Sequence, residues 1–155
     1  MNKTEKNIVK NTDNTTDNTS LIKPLKLLIV EDDEINRMVM EKIAIKKGWE
    51  VLLAENGKVA IDIYQKREIE VIIMDCQMPI LDGFKATGTI RQLESNSSTR
   101  IPIIALTANT LEGDREKCLN AGMDDYLTKP IETKEFYAIV EKWAEGNTCR
   151  GSSRK

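Results

Sequence analysis

The stretch that decides the fold is VIIMDCQMPILDG, at positions 71–83. Four apolar residues, three of them Val or Ile, run directly into Asp75, and Pro79 and the Asp82-Gly83 pair supply turn residues behind it. A short apolar run bounded by Pro and Gly is typical of a parallel strand that is buried on both faces. The pattern therefore predicts Asp75 at the carboxyl end of such a strand, which is the edge of an open α/β sheet where ligands bind.

Four more apolar runs resemble this one, and a helical pattern or cap follows each of the five. The predicted strands are residues 25–30, 50–54, 70–75, 101–106 and 124–128. The first helix is predicted from an apolar stripe at helical spacing that consists of Ile35, Met38, Val39 and Ile43. Gly88 falls inside the third helix, where close packing is the only reason we expect for it. Five alternating strands and helices predict a doubly wound α/β fold, with a five-stranded parallel sheet in the flavodoxin-like order 2-1-3-4-5.

Composition limits the chemistry that this chain can perform. Among 155 residues, 40% are hydrophobic and 31% charged, the net charge is −2, and there is no histidine. These values predict one globular domain without an electrostatic reason to bind nucleic acid or membranes. The lack of histidine excludes imidazole catalysis and imidazole metal sites, so any metal must be held by oxygen. Three scattered cysteines and no signal-peptide pattern favour a reducing cytoplasm.

The domain boundaries follow from changes in composition. Residues 1–23 are rich in Asn and Thr and are predicted to form a disordered tail or linker. The domain is predicted over residues 24–145, and residues 146–155 lack periodicity and are predicted to be a disordered C-terminal tail.

Polar side chains that could act together stand at the carboxyl ends of four predicted strands. Glu31 and Asp32 follow the first strand, Asp75 ends the third, Thr107 ends the fourth and Lys129 ends the fifth. In the predicted strand order the three carboxylates converge, and an oxygen-liking divalent cation, best Mg²⁺, would relieve their repulsion. Lys129 and Thr107 would add an anion receptor centred on Asp75. Because a carboxylate can attack phosphorus, this arrangement predicts phosphoryl chemistry at Asp75.

Two other functions fit a similar fold. A phosphatase of the haloacid-dehalogenase type expects an acid or base two residues after its nucleophile, but Gln77 stands two residues after Asp75 and can be neither. A flavodoxin expects a phosphate loop after the first strand, where the acidic run 31–34 would repel a phosphate. Both alternatives are therefore less well supported than a phosphoacceptor.

The motifs, taken in order, resemble the receiver domain of two-component response regulators. They are IVED at 29–32, MDCQMP at 74–79, DG at 82–83, LTA at 106–108 and TKP at 128–130. The sequences DCQMP at 75–79 and AGMDDYLTKP at 121–130 resemble those of receivers in hybrid sensor histidine kinases in particular. The resemblance covers about residues 25–145.

This resemblance implies that Asp75 accepts a phosphoryl group from a phosphohistidine on a histidine kinase or a histidine phosphotransfer domain. It implies Mg²⁺, with Mn²⁺ as the alternative, held by Asp32 directly, by Glu31 largely through water, by Asp75 and by the backbone carbonyl of Gln77. It also implies that Thr107 and Lys129 contact the phosphoryl oxygens.

Further roles are implied for neighbouring residues. Thr107 and Tyr126 would form the switch that moves on phosphorylation. The alternative interpretation of Tyr126 is an aromatic residue that is merely half-buried on its strand. Gln77 and Asn109 would tune the lifetime of the phosphoryl group, and the Lys129–Pro130 peptide bond would be cis. Cys76 is predicted to be buried packing, not a redox sensor.

The resemblance implies a signalling domain and not an enzyme, with self-phosphorylation and slow self-dephosphorylation as its only activities. It would act through protein contacts, without direct nucleic-acid or membrane contact. It would be a monomer or a weak phosphorylation-dependent dimer. It would be either a stand-alone regulator or a piece of a hybrid kinase.

Overall fold

A computed structural model of the chain describes residues 23–108 and 112–153, and within these ranges five strands form one parallel sheet. The strands are β1 Lys26–Val30, β2 Glu50–Ala54, β3 Val71–Asp75, β4 Ile103–Thr107 and β5 Asp125–Thr128. Their order across the sheet is β2-β1-β3-β4-β5, and every neighbouring pair is parallel. The predicted doubly wound sheet and its 2-1-3-4-5 order are confirmed.

Five helices connect the strands and cover both faces of the sheet. They are α1 Glu34–Lys46, α2 Gly57–Lys66, α3 Gly83–Glu94, α4 Glu112–Ala121 and α5 Thr133–Ser153. Side chains from α2, α3 and α4 pack with one set of alternating strand residues, and those from α1 and α5 pack with the other set. Each strand therefore contributes to two cores, which is why its sequence is a continuous apolar run and does not alternate with polar residues.

Asx caps and glycines set where several helices begin and end. Asp33, Asn56 and Asp82 cap α1, α2 and α3, and their side chains accept hydrogen bonds from the backbone N–H three residues later. Gly48 and Gly122 follow α1 and α4 with φ angles of 94° and 106°, which only glycine adopts without strain.

Of the four residues in the apolar stripe that predicted α1, only Ile43 packs against the core, where it is partly buried. Met40 and Ala44 are buried in the core, whereas Ile35, Met38 and Val39 are 70%, 44% and 48% exposed. Apolar residues occur on more than one side of α1, so periodicity alone could not select the buried face. Packing against the sheet selected it, and it left an apolar surface free beside the carboxyl ends of the strands.

The expectation for Gly88 also differs from the structure. A Cβ placed on Gly88 would have no atom within 4 Å, so close packing does not explain this glycine. Helix α5 continues to Ser153, and the predicted domain boundary at residue 145 stays a prediction. One glycine costs a helix only about 1 kcal/mol, so Gly146 is a weak stop signal. Among the described residues, no helix combines the length and the apolar character needed to cross a membrane.

Candidate functional site

The site lies at the carboxyl edge of the sheet, where β3 ends between β1 and β4. Asp75 pairs with Leu106 in the β3–β4 register, and Val30 pairs with Met74 on the other side. Glu31 therefore follows β1 and Thr107 ends β4, which are the two strands that flank β3 and Asp75. The central position of β3 explains why Asp75 is only 3% exposed although it ends a strand.

Three carboxylates converge at this edge. Oxygens of Glu31, Asp32 and Asp75 all lie within 4.8 Å of one another, with Glu31 and Asp75 buried and Asp32 exposed. The N–H of Glu31 donates to Ala54 O at 3.0 Å, which holds this residue against β2. The buried Glu31 Oε1 accepts no well-directed hydrogen bond from the described part of the chain, although the ammonium of Lys129 lies 3.1 Å from it. An all-oxygen cluster with such an atom fits a hard divalent cation.

Lys129 approaches the same carboxylates from the far side of β3. Its Nζ lies 3.0 Å from Asp75 Oδ2 and 3.1 Å from Glu31 Oε1. The N–H of Lys129 donates to Thr107 O at 2.9 Å, and the Lys129–Pro130 peptide bond is cis, as the sequence resemblance implied. The backbone of Lys129 is thus held against the end of β4, and its ammonium compensates part of the negative charge.

The pKa values of Glu31 and Lys129 are both raised, for different physical reasons. Burial raises the pKa of Glu31 to about 7, and the charge of Asp75 adds to this effect, whereas the N–H of Asp33 and the ammonium of Lys129 oppose it. Burial also acts to lower the pKa of Lys129, but the carboxylates of Asp75 and Glu31 outweigh it and raise that pKa. The ammonium therefore stays charged, while Glu31 titrates near neutrality.

The loop after β3 is held tightly around Asp75. Gln77 N donates to Asp75 Oδ1 at 3.2 Å, and Gly83 N donates to Cys76 O at 3.1 Å. A Cβ on Gly83 would lie only 2.1 Å from Asp75 O, so the start of α3 can approach β3 only with glycine at this position. Gln77 itself is exposed beside the carboxylates.

Cys76 is buried, as predicted, but it has a neighbour that the sequence did not indicate. Its Sγ lies 3.7 Å from Sγ of Cys118 on α4, and both thiols are buried. Burial raises the pKa of each thiol above its ordinary value. Both cysteines are therefore expected to act as packing residues with little thiolate.

The remaining predicted residues lie in different places. Thr107 is 9% exposed at the end of β4, next to Asp75. Tyr126 lies on β5, partly buried, with the guanidinium of Arg115 5.3 Å from the centre of its ring. Asn109 lies outside the described residues.

One residue of the site was missed by sequence reasoning. Arg37, on α1, donates from Nη1 to Glu31 O at 2.8 Å and also lies 3.4 Å from Asp32 O. A cation four residues after an N-cap is an ordinary helix residue, so spacing gave no signal for this contact.

Comparison with known proteins identifies the family of this chain. The profile described as the response regulator receiver domain matches residues 27–141, and the chain belongs to this family. Receiver domains are phosphoacceptor modules of two-component signalling and not catalytic enzymes. This membership excludes the phosphatase and flavodoxin alternatives.

The similar proteins include much larger histidine kinases. The chain is 42% identical over 122 residues to hybrid signal transduction histidine kinase I of Dictyostelium discoideum, covering 76% of the chain and 7% of that protein. It is 38% identical over 119 residues to the sensor histidine kinase GacS of Pseudomonas protegens, covering 76% of the chain and 13% of that protein. The chain thus spans a small part of these relatives and corresponds to their receiver regions.

Two solved structures are informative about this class of site. The receiver domain of sensor histidine kinase PA1611 from Pseudomonas aeruginosa holds a magnesium ion in its active-site cleft; it is 42% identical, with a TM-score of 0.72, over 79% of this chain and 99% of that one. The receiver domain of Ssk1 from Saccharomyces cerevisiae was solved with the histidine phosphotransfer protein Ypd1; the match is 32% identical, with a TM-score of 0.73, over 82% of this chain and 91% of that one.

Proposed function

We propose that Asp75 accepts a phosphoryl group from a phosphohistidine on a histidine kinase or a histidine phosphotransfer domain. This proposal rests on the surroundings of Asp75. This buried carboxylate has two acidic side chains on one side and the ammonium of Lys129 at 3.0 Å on the other. Neutral packing would not require this concentration of charge at the end of a central strand. Membership of the receiver family supports the same assignment.

In the proposed reaction a carboxylate oxygen of Asp75 attacks phosphorus in line with the leaving imidazole nitrogen. The O–P bond forms as the N–P bond breaks, and the electron pair of the N–P bond stays with the imidazole. Lys129 and Thr107 stabilise the negative charge on the transferring oxygens. Lys129 is already fixed beside Asp75 and so needs little reorganisation to do this.

We assign the metal ligands to Glu31, Asp32, Asp75 and the backbone carbonyl of Gln77, and the ion to Mg²⁺, with Mn²⁺ as the alternative. When bound, the ion neutralises charge on the carboxylates and on the phosphoryl oxygens. The carboxylate cluster, and the magnesium ion in the cleft of the Pseudomonas aeruginosa receiver, support this assignment.

The proposed donor is a protein, and the apolar surface of α1 supports this. Ile35, Met38 and Val39 are exposed on the helix that starts beside the acidic cluster, and Ile80 is 77% exposed in the loop after Asp75. Exposed apolar side chains that rim a polar site favour protein contact. The complex of the Ssk1 receiver with Ypd1 is an example of such a pairing in the family.

Further roles remain proposals. We assign the switch to Thr107 and Tyr126, and control of the phosphoryl lifetime to Gln77 and Asn109. The partly buried ring of Tyr126, in contact with Arg115, is compatible with movement on phosphorylation. Signalling through protein contacts, a cytoplasmic location, a monomer or weak phosphorylation-dependent dimer, and the domain boundaries at residues 24 and 145 stay predictions.

Intact mass after incubation with acetyl phosphate, with and without Mg²⁺, tests the acceptor. We expect one phosphoryl group to be added to the parent chain only with Mg²⁺ and none to be added to Asp75→Asn. The variant Asp62→Asn, which changes an exposed carboxylate on α2, should be labelled like the parent. A folded parent that gains no mass, or an Asp75→Asn variant that does, would contradict the proposal.

A further inference from the structure

Arg37 links α1 to the loop that carries two of the acidic residues. Its Nη1 donates to Glu31 O at 2.8 Å and lies 3.4 Å from Asp32 O. Arg37 is itself anchored, because its N–H donates to Asp33 O at 2.9 Å in the first turn of α1. One guanidinium therefore contacts two consecutive carbonyls of residues that belong to the carboxylate cluster.

Apart from the contact with Arg37, Glu31 and Asp32 are held in different ways. Glu31 is fixed through its N–H to Ala54 O, and its Oε2 accepts from Asp33 N at 3.0 Å. Asp32 is exposed, and within the described ranges its carboxylate accepts no hydrogen bond. The direction in which Asp32 points therefore depends on its backbone, and Arg37 is the side chain that contacts that backbone.

We propose that Arg37 is a positioning residue of the metal site, which it serves through the carbonyls of Glu31 and Asp32. This inference rests on the proposed function, because it presumes that these carboxylates bind Mg²⁺. Magnesium requires near-octahedral oxygen ligands at about 2.0–2.1 Å, so small displacements of a ligand weaken binding. Residues that orient metal ligands typically affect metal affinity about 10- to 100-fold.

The sign of the effect separates positioning from simple electrostatics. A guanidinium near three carboxylates repels a divalent cation, so if Arg37 acted only through its charge, its removal would tighten Mg²⁺ binding. If Arg37 positions the loop, its removal weakens Mg²⁺ binding although a repulsive charge is lost. The two explanations thus predict opposite changes in the same dissociation constant.

Calorimetric titration of Mg²⁺ into the parent chain, Arg37→Gln and Arg37→Lys is the test. We expect the Mg²⁺ dissociation constant to rise about ten-fold in Arg37→Gln and by a smaller factor in Arg37→Lys, which keeps the charge but loses the planar fork. Arg67→Gln removes the same charge from the exposed end of α2 and should leave the dissociation constant unchanged.

An unchanged or smaller dissociation constant in Arg37→Gln would overturn the inference. Circular dichroism shows whether that variant is folded, and if it is not, Arg37→Lys decides by the same criterion. Because Mg²⁺ binding is measured without phosphorylation, a chain that binds Mg²⁺ and is never labelled would contradict the proposed function and still test the role of Arg37.

Discussion

The ammonium of Lys129 donates a 3.0 Å hydrogen bond to Asp75 Oδ2. The same nitrogen lies 3.1 Å from Glu31 Oε1, so one cation stands between two buried carboxylates. The residue that we propose to bind the phosphoryl oxygens thus also links the two buried carboxylates of the site.

Replacement of Lys129 by Met should destabilise the metal-free domain, because two buried carboxylates then face each other without a cation between them. We expect the free energy of unfolding to fall by about 1–3 kcal/mol in urea at about pH 8, and Mg²⁺ to restore part of the loss. Lys66→Met, which removes an exposed ammonium from α2, is the control and should change little. Equal unfolding free energies for Lys129→Met and the parent would show that the pair contributes nothing.

Glu31 should make the stability of the metal-free domain depend on pH. Its pKa is raised from 4.5 to about 7 in the folded state, so between these values the folded chain binds the extra proton. The contribution of Glu31 to the unfolding free energy is therefore favourable at low pH and is lost as the pH rises through about 7. In Glu31→Gln this component should disappear, which urea titrations of both proteins across the range would detect. A parallel pH dependence in the two proteins would refute the assignment.

Two glycines of α3 should respond to alanine in opposite ways. Gly83→Ala places a Cβ 2.1 Å from Asp75 O, so the start of α3 must move, and we expect a loss of more than about 2 kcal/mol. Gly88→Ala meets nothing within 4 Å on an exposed helix face and should stabilise the domain by about 0.5–1 kcal/mol. Thermal unfolding measures both. A Gly83→Ala variant as stable as the parent would mean that the helix tolerates this shift.

Arg91 should be the most sensitive cation at the opposite end of the sheet. Its guanidinium donates to Glu94, Gly122 O, Ile101 O and Asp124, and its side chain is only 14% exposed. Arg91→Ala removes the ion-pair partner of the buried Glu94 and one of the two cationic partners of Asp124, and it should cost about 3 kcal/mol in the free energy of unfolding.

Arg100 provides a matched control for that experiment. It also pairs with Asp124, but its side chain is 53% exposed, so Arg100→Ala should cost less than about 1 kcal/mol. Similar losses for the two variants in urea unfolding would show that burial does not set the strength of this network.

The sequence determined the features that depend on local order along the chain. Apolar runs ending in polar residues predicted five parallel strands, and Asp75 at the end of the third, because each strand must be buried on both faces. The cap at Asp33 and the glycine after α1 could be predicted because their roles depend only on neighbouring backbone groups. The prediction of three converging carboxylates also succeeded, since parallel strands bring their carboxyl ends to one edge.

Only the tertiary structure decided which chemically suitable groups meet. Ile35, Met38 and Val39 have the spacing of a buried stripe, but packing against the sheet buried Met40 and Ala44 instead. The contact of Arg37 with Glu31 O and the raised pKa of Glu31 depend on where helix, strand and solvent lie in space. The periodicity of the sequence shows which side chains are apolar. Burial and contacts depend on how the whole chain packs, so these two features could not be predicted from the sequence.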